Sequence, residues 1–180
     1  MGIHGILERL RDRDLSDALV AALECEYKLE VYLFDAVERN DLETVRYLLD
    51  HGMSANMMNS GTRCRVLCTA VISGHLDMAK LARAYGAELC AFYEGERDDG
   101  TPSNELLQFA DPQRHNGTRR KLQYYDEALL EWLLSRPPKD RSAAPPVGTP
   151  SHPKMLDEIA PVFAEWQRLA AKAADEASVE

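Results

Sequence analysis

The chain has 180 residues, 45% hydrophobic and 28% charged, which is ordinary for one globular domain. Its 30 acidic and 21 basic residues give a net charge of −9. Nucleic-acid binders normally show a basic face because phosphate contacts supply most of their affinity, so we expect no nucleic-acid partner. The sequence contains no run of 18 apolar residues, so we expect no membrane span.

The number of cysteines and the character of the first residues indicate the cellular compartment. The chain has four cysteines, and its first residues lack the apolar core of a secretory signal. Disulfide frameworks belong to small exported domains. We therefore expect a reducing, cytoplasmic location.

Helical spacing dominates the first 135 residues. Apolar side chains recur every three or four positions from Ile6 to Leu23, and Ser16 or Asp14 is placed to cap the second of the helices predicted there. Residues 1–30 are therefore predicted to form an N-terminal helical cap or a degenerate repeat.

Residues 33–56 and 67–90 repeat each other with a shift of 34. Leucine, alanine and valine positions coincide under this shift, and Gly52 coincides with Gly86, while surface positions differ. Each unit is predicted to contain a short helix, a tight turn and a second helix. Glycine is expected after the second helix because it adopts the left-handed conformation cheaply.

These units resemble ankyrin repeats. Residues 40–49 read NDLETVRYLL and residues 74–81 read GHLDMAKL, similar to the G-H-L-E-x-V-K-L-L-L middle of that family's repeat. The resemblance implies an all-α fold: a short ankyrin-type helix-turn-helix repeat stack (α-solenoid) with capping helices. The repeats are expected within residues 31–135.

A third, divergent unit follows. Thr101-Pro102 restores the family's repeat start, and residues 122–135 are predicted to be its second helix. The expected apolar stripe of that helix is formed by Ala128, Leu129, Trp132 and Leu133.

The C-terminal part is predicted to be a linker and a helix. Six of nine prolines fall within residues 136–154, which indicates a linker or an extended arm. Residues 155–180 carry an amphipathic seam, with Pro161 expected in the first turn. This helix either folds back to cap the last repeat or docks a partner, including a second copy of the chain.

The resemblance also implies a partner surface made of projecting loops and first-helix faces. From the loops it nominates Asn59, Arg63, Arg65, Phe92, Tyr93, Arg97 and Asp98. Aromatic and arginine side chains suit such surfaces. The alternative for the loop at residues 90–101 is a solvated acidic segment whose aromatic side chains tuck against the stack.

The predicted function is a non-enzymatic protein–protein interaction module, for example an inhibitor, adaptor or immunity-type protein, with a basic protein partner favoured electrostatically. No cofactor or metal is expected, because common catalytic motifs are absent and Cys64 and Cys68 form only one ligand pair. Cys68 is predicted to be a small buried hydrophobe and His75 a turn residue. The alternatives are a metal- or cofactor-binding enzyme that uses Cys/His positions, and a self-assembly protein acting through its C-terminal helix.

Overall fold

The computed structural model describes residues 16–89, 98–111, 126–147 and 153–178. Within these ranges the chain forms α-helices and no β-strand, which agrees with the all-α prediction. The helices are α1 (Asp17–Glu38), α2 (Leu42–Asp50), α3 (Val66–Ile72), α4 (Leu76–Ala84), α5 (Asn104–Ala110), α6 (Glu127–Leu134) and α7 (Pro153–Ser178), with a 3₁₀ turn at Arg141–Ala143. None of these helices has the length and apolar character needed to cross a membrane.

Helix α1 is longer than the sequence predicts. Ser16 caps it, as expected, because its Oγ accepts a hydrogen bond from the Leu19 N–H at 3.2 Å. The short first helix expected near Val31 is instead the C-terminal part of α1, so the boundary proposed at residue 30 falls inside a helix. Residues 17–38 contain neither glycine nor proline, and buried positions continue at helical spacing along their whole length.

The 34-residue shift reappears in the backbone. Helices α2 and α4 begin and end 34 residues apart, and Gly52 and Gly86 follow them with φ of 103° and 98°. The turns that lead into these helices also use left-handed residues, Asn40 (φ 57°) and Gly74 (φ 71°). The two glycines that follow the helices therefore have the role that the sequence predicts.

The helices pack in successive pairs: α1 on α2, α3 on α4 and α5 on α6. The first helices of the pairs also contact one another, α1 with α3 and α3 with α5, and α2 contacts α4. The core is built largely from buried leucine side chains, among them Leu33, Leu48, Leu67 and Leu81.

Polar side chains connect consecutive units. The His75 Nε2 lies 2.9 Å from the Glu38 carbonyl oxygen, which is a turn role of the predicted kind. The Asn56 amide Nδ2 donates to the Gly86 carbonyl at 3.0 Å, and its Oδ1 accepts from the Glu88 N–H at 2.8 Å. These bonds fix one loop against the next.

The third pair departs from its predicted stripe. Its second helix, α6, buries Leu129, Leu130 and Leu133, whereas Ala128 is exposed and Trp132 is half-buried. The helix therefore faces the core with Leu130 in place of Ala128, which removes more apolar area from water. Residues 122–125 of the predicted helix lie outside the described residues.

Residues 136–147, called the strap below, lie against the helices rather than forming a free linker. The Arg83 Nε of α4 donates to the Pro137 carbonyl at 2.7 Å. Further along, the Arg46 guanidinium of α2 donates to the Pro145 carbonyl. The proline-rich composition predicts a linker or an extended arm, and it gives no sign that arginines elsewhere in the chain hold the segment or that it contains a 3₁₀ turn.

The C-terminal helix α7 packs mainly on α1. One of the two predictions places it over the last repeat instead, and the structure does not show that arrangement. Ile159, Phe163 and Trp166 of the predicted seam are buried. The Phe163 ring also lies 6.2 Å from the Tyr47 ring of α2, edge to face. The strap returns the chain from α6 to this end of the fold, which helical spacing alone does not specify.

Pro161 lies inside α7 and not in its first turn, because the helix already begins at Pro153. A proline inside a helix removes one hydrogen bond, here to the carbonyl of Asp157. Both Pro161 and Asp157 are exposed, so water can satisfy the freed carbonyl. Exposure explains why the helix continues through this proline.

Candidate functional site

The first predicted loop is a tight hairpin that uses Asn59 for its own structure. The Asn59 N–H donates to the Cys64 carbonyl oxygen at 2.8 Å. Its side-chain Oδ1 accepts from the N–H groups of Gly61 and Thr62 at 2.9 and 2.8 Å. The sequence predicts Asn59 as a partner contact, but in the structure its amide oxygen holds the turn.

The two arginines of this loop differ in what they offer a partner. Arg63 lies in the turn with φ of 62°, and it is exposed. Arg65 is half-buried, occupies the N-cap position of α3 without a side-chain capping hydrogen bond, and pairs with Met58 in an isolated antiparallel bridge. Arg63 is therefore the better placed of the two to reach a partner.

Asp98 is not a surface charge. Its side chain is 4% exposed and forms an ion pair with the Arg83 guanidinium, which is 6% exposed at the end of α4. Arg83 Nη1 also donates to the Ala87 carbonyl at 2.6 Å. Because Arg83 binds the strap as well, Asp98 belongs to a structural cluster and is not an exposed partner contact of the kind that the sequence predicts.

The charges around Asp98 are paired within the fold. Burial alone would raise the pKa of Asp98, but hydrogen bonds from the Arg83 guanidinium and the Gly100 N–H outweigh it and lower the pKa to about 2. The Lys139 Nζ of the strap lies 3.5 Å from Asp98 Oδ2 and 2.5 Å from Glu88 Oε1. We call Arg83, Glu88, Asp98 and Lys139 the strap anchor.

The remaining predicted contacts, Phe92, Tyr93 and Arg97, lie outside the described residues. Their role at a partner surface stays a prediction. The last described residue before them, Leu89, is fully buried, and its carbonyl accepts from the Ser103 N–H at 3.0 Å.

Helix α1 carries an exposed apolar face that the sequence reasoning missed. Val20, Tyr27 and Val31 are 40%, 58% and 51% exposed. Glu24 is also exposed, and the four positions share one side of the helix at spacings of four, three and four. We call Val20, Glu24, Tyr27 and Val31 the α1 face. The sequence did contain a signal, because these apolar residues lie outside the stripe of α1 that packs in the core.

The hairpin lies beside the α1 face. The Ser60 N–H donates to Glu30 Oε1 at 2.7 Å, and Glu30 directly precedes Val31. We call the α1 face together with residues 60–63 the candidate surface. Glu24 and Glu30 bring negative charge to it, while Lys28 beside the α1 face and Arg63 of the hairpin bring positive charge.

Cysteines of two kinds occur among the described residues. Cys68 is buried in the first turn of α3, as its position in the repeat predicts, while Cys25 and Cys64 are half-buried. In the part of the chain that the structure describes, no three or more His, Cys, Asp or Glu side chains are grouped so that they could hold a metal ion.

Comparison of the chain with protein-family models, with curated proteins and with solved structures finds no match. Function is therefore inferred from the contacts, exposures and charges described above.

Proposed function

We propose that this chain is a non-enzymatic protein-binding module built as a short ankyrin-type repeat stack. The helices of the two clearest units and the left-handed residues that follow them obey one 34-residue shift, which supports this fold. In ankyrin-repeat proteins the first-helix faces and projecting loops grip partners. In the candidate surface, residues 60–63 form a projecting loop and Val31 lies in the first helix of the first unit, while Val20, Glu24 and Tyr27 precede that unit on the same helix.

The observation that carries the proposal is the exposure of Tyr27 and Val31 beside an ordered hairpin. Grouped apolar side chains left in solvent mark contact surfaces, and tyrosine is enriched at their energetic centres. The hairpin N–H groups of Gly61 and Ser60 donate hydrogen bonds to the side-chain oxygens of Asn59 and Glu30, so little conformational entropy is lost there on binding.

Charge indicates the kind of partner. The chain has a net charge of −9, so its electrostatic field is negative overall. Opposite charge accelerates association and disfavours wrong partners, so we propose a basic protein partner. A small acidic stack of this kind acts by covering another protein, as an inhibitor, adaptor or immunity-type protein does.

No observation favours the alternatives over this proposal. Self-assembly through the C-terminal helix would require its apolar side chains to be free, but Phe163 and Trp166 are buried within the chain itself. A metal- or cofactor-dependent enzyme has no specific support from the described side chains.

The test is affinity capture from the cells that make this protein, with three baits: the wild-type chain, the double variant Tyr27→Ser/Val31→Ser, and Leu134→Ser. Leu134 is 48% exposed on α6, so its variant is a matched loss of an exposed apolar side chain elsewhere. We expect one protein on the wild-type and control baits. The double variant should bind it at least about tenfold more weakly.

Folding and binding are then separated with purified components. All three baits should unfold within about 0.5 kcal/mol of one another, because the substituted side chains are exposed. Equal affinity of the purified partner for all three baits would contradict the assignment of the candidate surface.

A further inference from the structure

Cys64 and Cys68 form a pair of thiols where the hairpin joins α3. Cys64 directly precedes Arg65, the N-cap residue of α3, and Cys68 is the third residue of the helix. Cys64 therefore lies just before the helix and Cys68 in its first turn, and each thiol is the strongest influence on the pKa of the other. Cys68 is buried, whereas Cys64 is half-buried against the core.

The hairpin holds Cys64 in place. Its carbonyl accepts from the Asn59 N–H at 2.8 Å, and its N–H donates to the Thr62 Oγ1 at 3.3 Å. With the Cys64 backbone fixed in this way, a disulfide requires the two side chains to turn toward each other until the sulfurs reach the S–S distance of about 2.05 Å.

We propose that Cys64 and Cys68 are a vicinal dithiol that hydrogen peroxide or another hydroperoxide converts into an intramolecular disulfide. In the first step the Cys64 thiolate attacks one peroxide oxygen, the O–O bond breaks, and Cys64 becomes a sulfenic acid. In the second step the Cys68 sulfur displaces the sulfenic oxygen, the S–S bond forms, and water leaves with the Cys68 proton. Two thiols thus lose two protons and two electrons, and hydrogen peroxide is reduced to two waters.

The surroundings give the two sulfurs different roles. The hydrogen bond from Cys68 lowers the pKa of Cys64, with a contribution from the Thr62 hydroxyl, although burial and the Glu105 carboxylate oppose it. The same contact and burial raise the pKa of Cys68. Because Cys64 is half-buried and Cys68 is buried, peroxide reaches Cys64 first, so Cys64 is the attacking thiol and Cys68 the resolving one. Burial raises the pKa of Cys25 on α1, which makes Cys25 an internal control.

The test is oxidation of the folded, full-length protein with hydrogen peroxide, followed by blocking of the remaining thiols and tryptic mapping without reduction. Trypsin cleaves after Arg63, Arg65 and Lys80, so the two cysteines fall in separate peptides, residues 64–65 and 66–80. We expect these peptides to be recovered joined and to separate on reduction. The blockable Cys64 thiol should disappear at least about fivefold faster than that of Cys25.

Two variants separate the roles. In Cys68→Ser, Cys64 should accumulate as a sulfenic acid that a dione probe traps. In Cys64→Ser, Cys68 should stay reduced at the same peroxide concentration. The proposal is overturned if the joined peptides form only from unfolded protein, if Cys25 reacts as fast as Cys64, or if Cys64 is recovered joined to another chain.

Discussion

The repeated units and the C-terminal part of the chain are held together in different ways. In residues 31–89 the helices, their left-handed ends and the loop contacts join positions that are close in sequence or one repeat apart. The strap and α7 depend on distant pairs, such as Arg46 of α2 and the Pro145 carbonyl, 99 residues later. The first kind of contact follows from local patterns, whereas the second follows only from the complete fold.

The contacts of the strap explain why a segment with the composition of a linker is held against the helices. The strap makes backbone hydrogen bonds of its own at the 3₁₀ turn, where the Ala143 and Ala144 N–H groups donate, whereas the carbonyls of Pro137 and Pro145 accept from side chains of other helices. Arg83 and Arg46 supply such donors, and the Arg141 guanidinium of the strap lies 4.5 Å from the centroid of the Tyr85 ring. We infer that the prolines prepare the strap for docking by keeping it extended.

The largest expected loss of stability comes from truncating a buried side chain, either in the C-terminal helix α7 or in the repeated units. Trp166 of α7 and Leu48 of α2 are both fully buried. Trp166→Ala should lower the free energy of unfolding by about 3–5 kcal/mol and Leu48→Ala by about 2–5 kcal/mol, because each leaves a cavity. Urea titrations followed by circular dichroism would measure both losses.

The Trp166→Ala variant also tests whether the two parts unfold together. The chain has two tryptophans, so this variant leaves Trp132 of α6 as its single fluorescent reporter. We expect fluorescence and circular dichroism to give one coincident transition. An unchanged Trp132 transition after an earlier loss of helix would show instead that α7 is an independent element.

The next largest effect is expected at the strap anchor. Arg83→Met keeps an apolar stem but leaves the Asp98 carboxylate buried without its guanidinium and the Pro137 carbonyl without its donor. We expect a loss of about 3 kcal/mol, since breaking one side of a buried ion pair is costly. Hydrogen exchange should show faster opening of the strap.

A matched exposed pair provides the control for that variant. Arg39 Nε lies 2.9 Å from Asp35 Oδ1, and the two side chains are 53% and 37% exposed. Arg39→Met should cost at most about 1 kcal/mol. Similar losses in Arg39→Met and Arg83→Met would mean that the strap anchor contributes no more than a surface ion pair.

The sequence predicts those features of the fold that have a local physical cause. Apolar spacing and glycine positions predict the 34-residue repeat, and Ser16, one of the two residues predicted as a possible cap, caps α1. The docking of α7 on α1 was not predicted, because the apolar seam shows only that the helix has a partner and not which helix it is. The candidate surface was likewise predictable only in the part that depends on local sequence. Arg63 was identified from its loop, whereas Tyr27 and Val31 stand out only once the buried side of α1 is known.

The smallest expected effect is the loss of stability when acid protonates Asp98 in the strap anchor. Asp98 has a pKa of about 2 in the folded chain against an ordinary value of 3.8, so its ionised form stabilises the fold at pH above about 4. That stabilisation is lost as the pH falls from about 4 to about 2, because the unfolded chain takes up the proton first. The shift corresponds to about 2 kcal/mol.

Asp98→Asn should therefore be less stable than the wild type by about 2 kcal/mol at pH 6, and the difference should shrink as the pH falls below 4. Asp35→Asn, which alters the exposed pair with Arg39, should follow the wild-type profile within about 1 kcal/mol. Urea titrations between pH 3 and pH 6 measure both curves. A pH-independent gap between Asp98→Asn and the wild type would show that Asp98 acts through packing and not through its charge. In that case the strap would be held by the backbone bonds of Arg83 and Arg46 rather than by an ion pair.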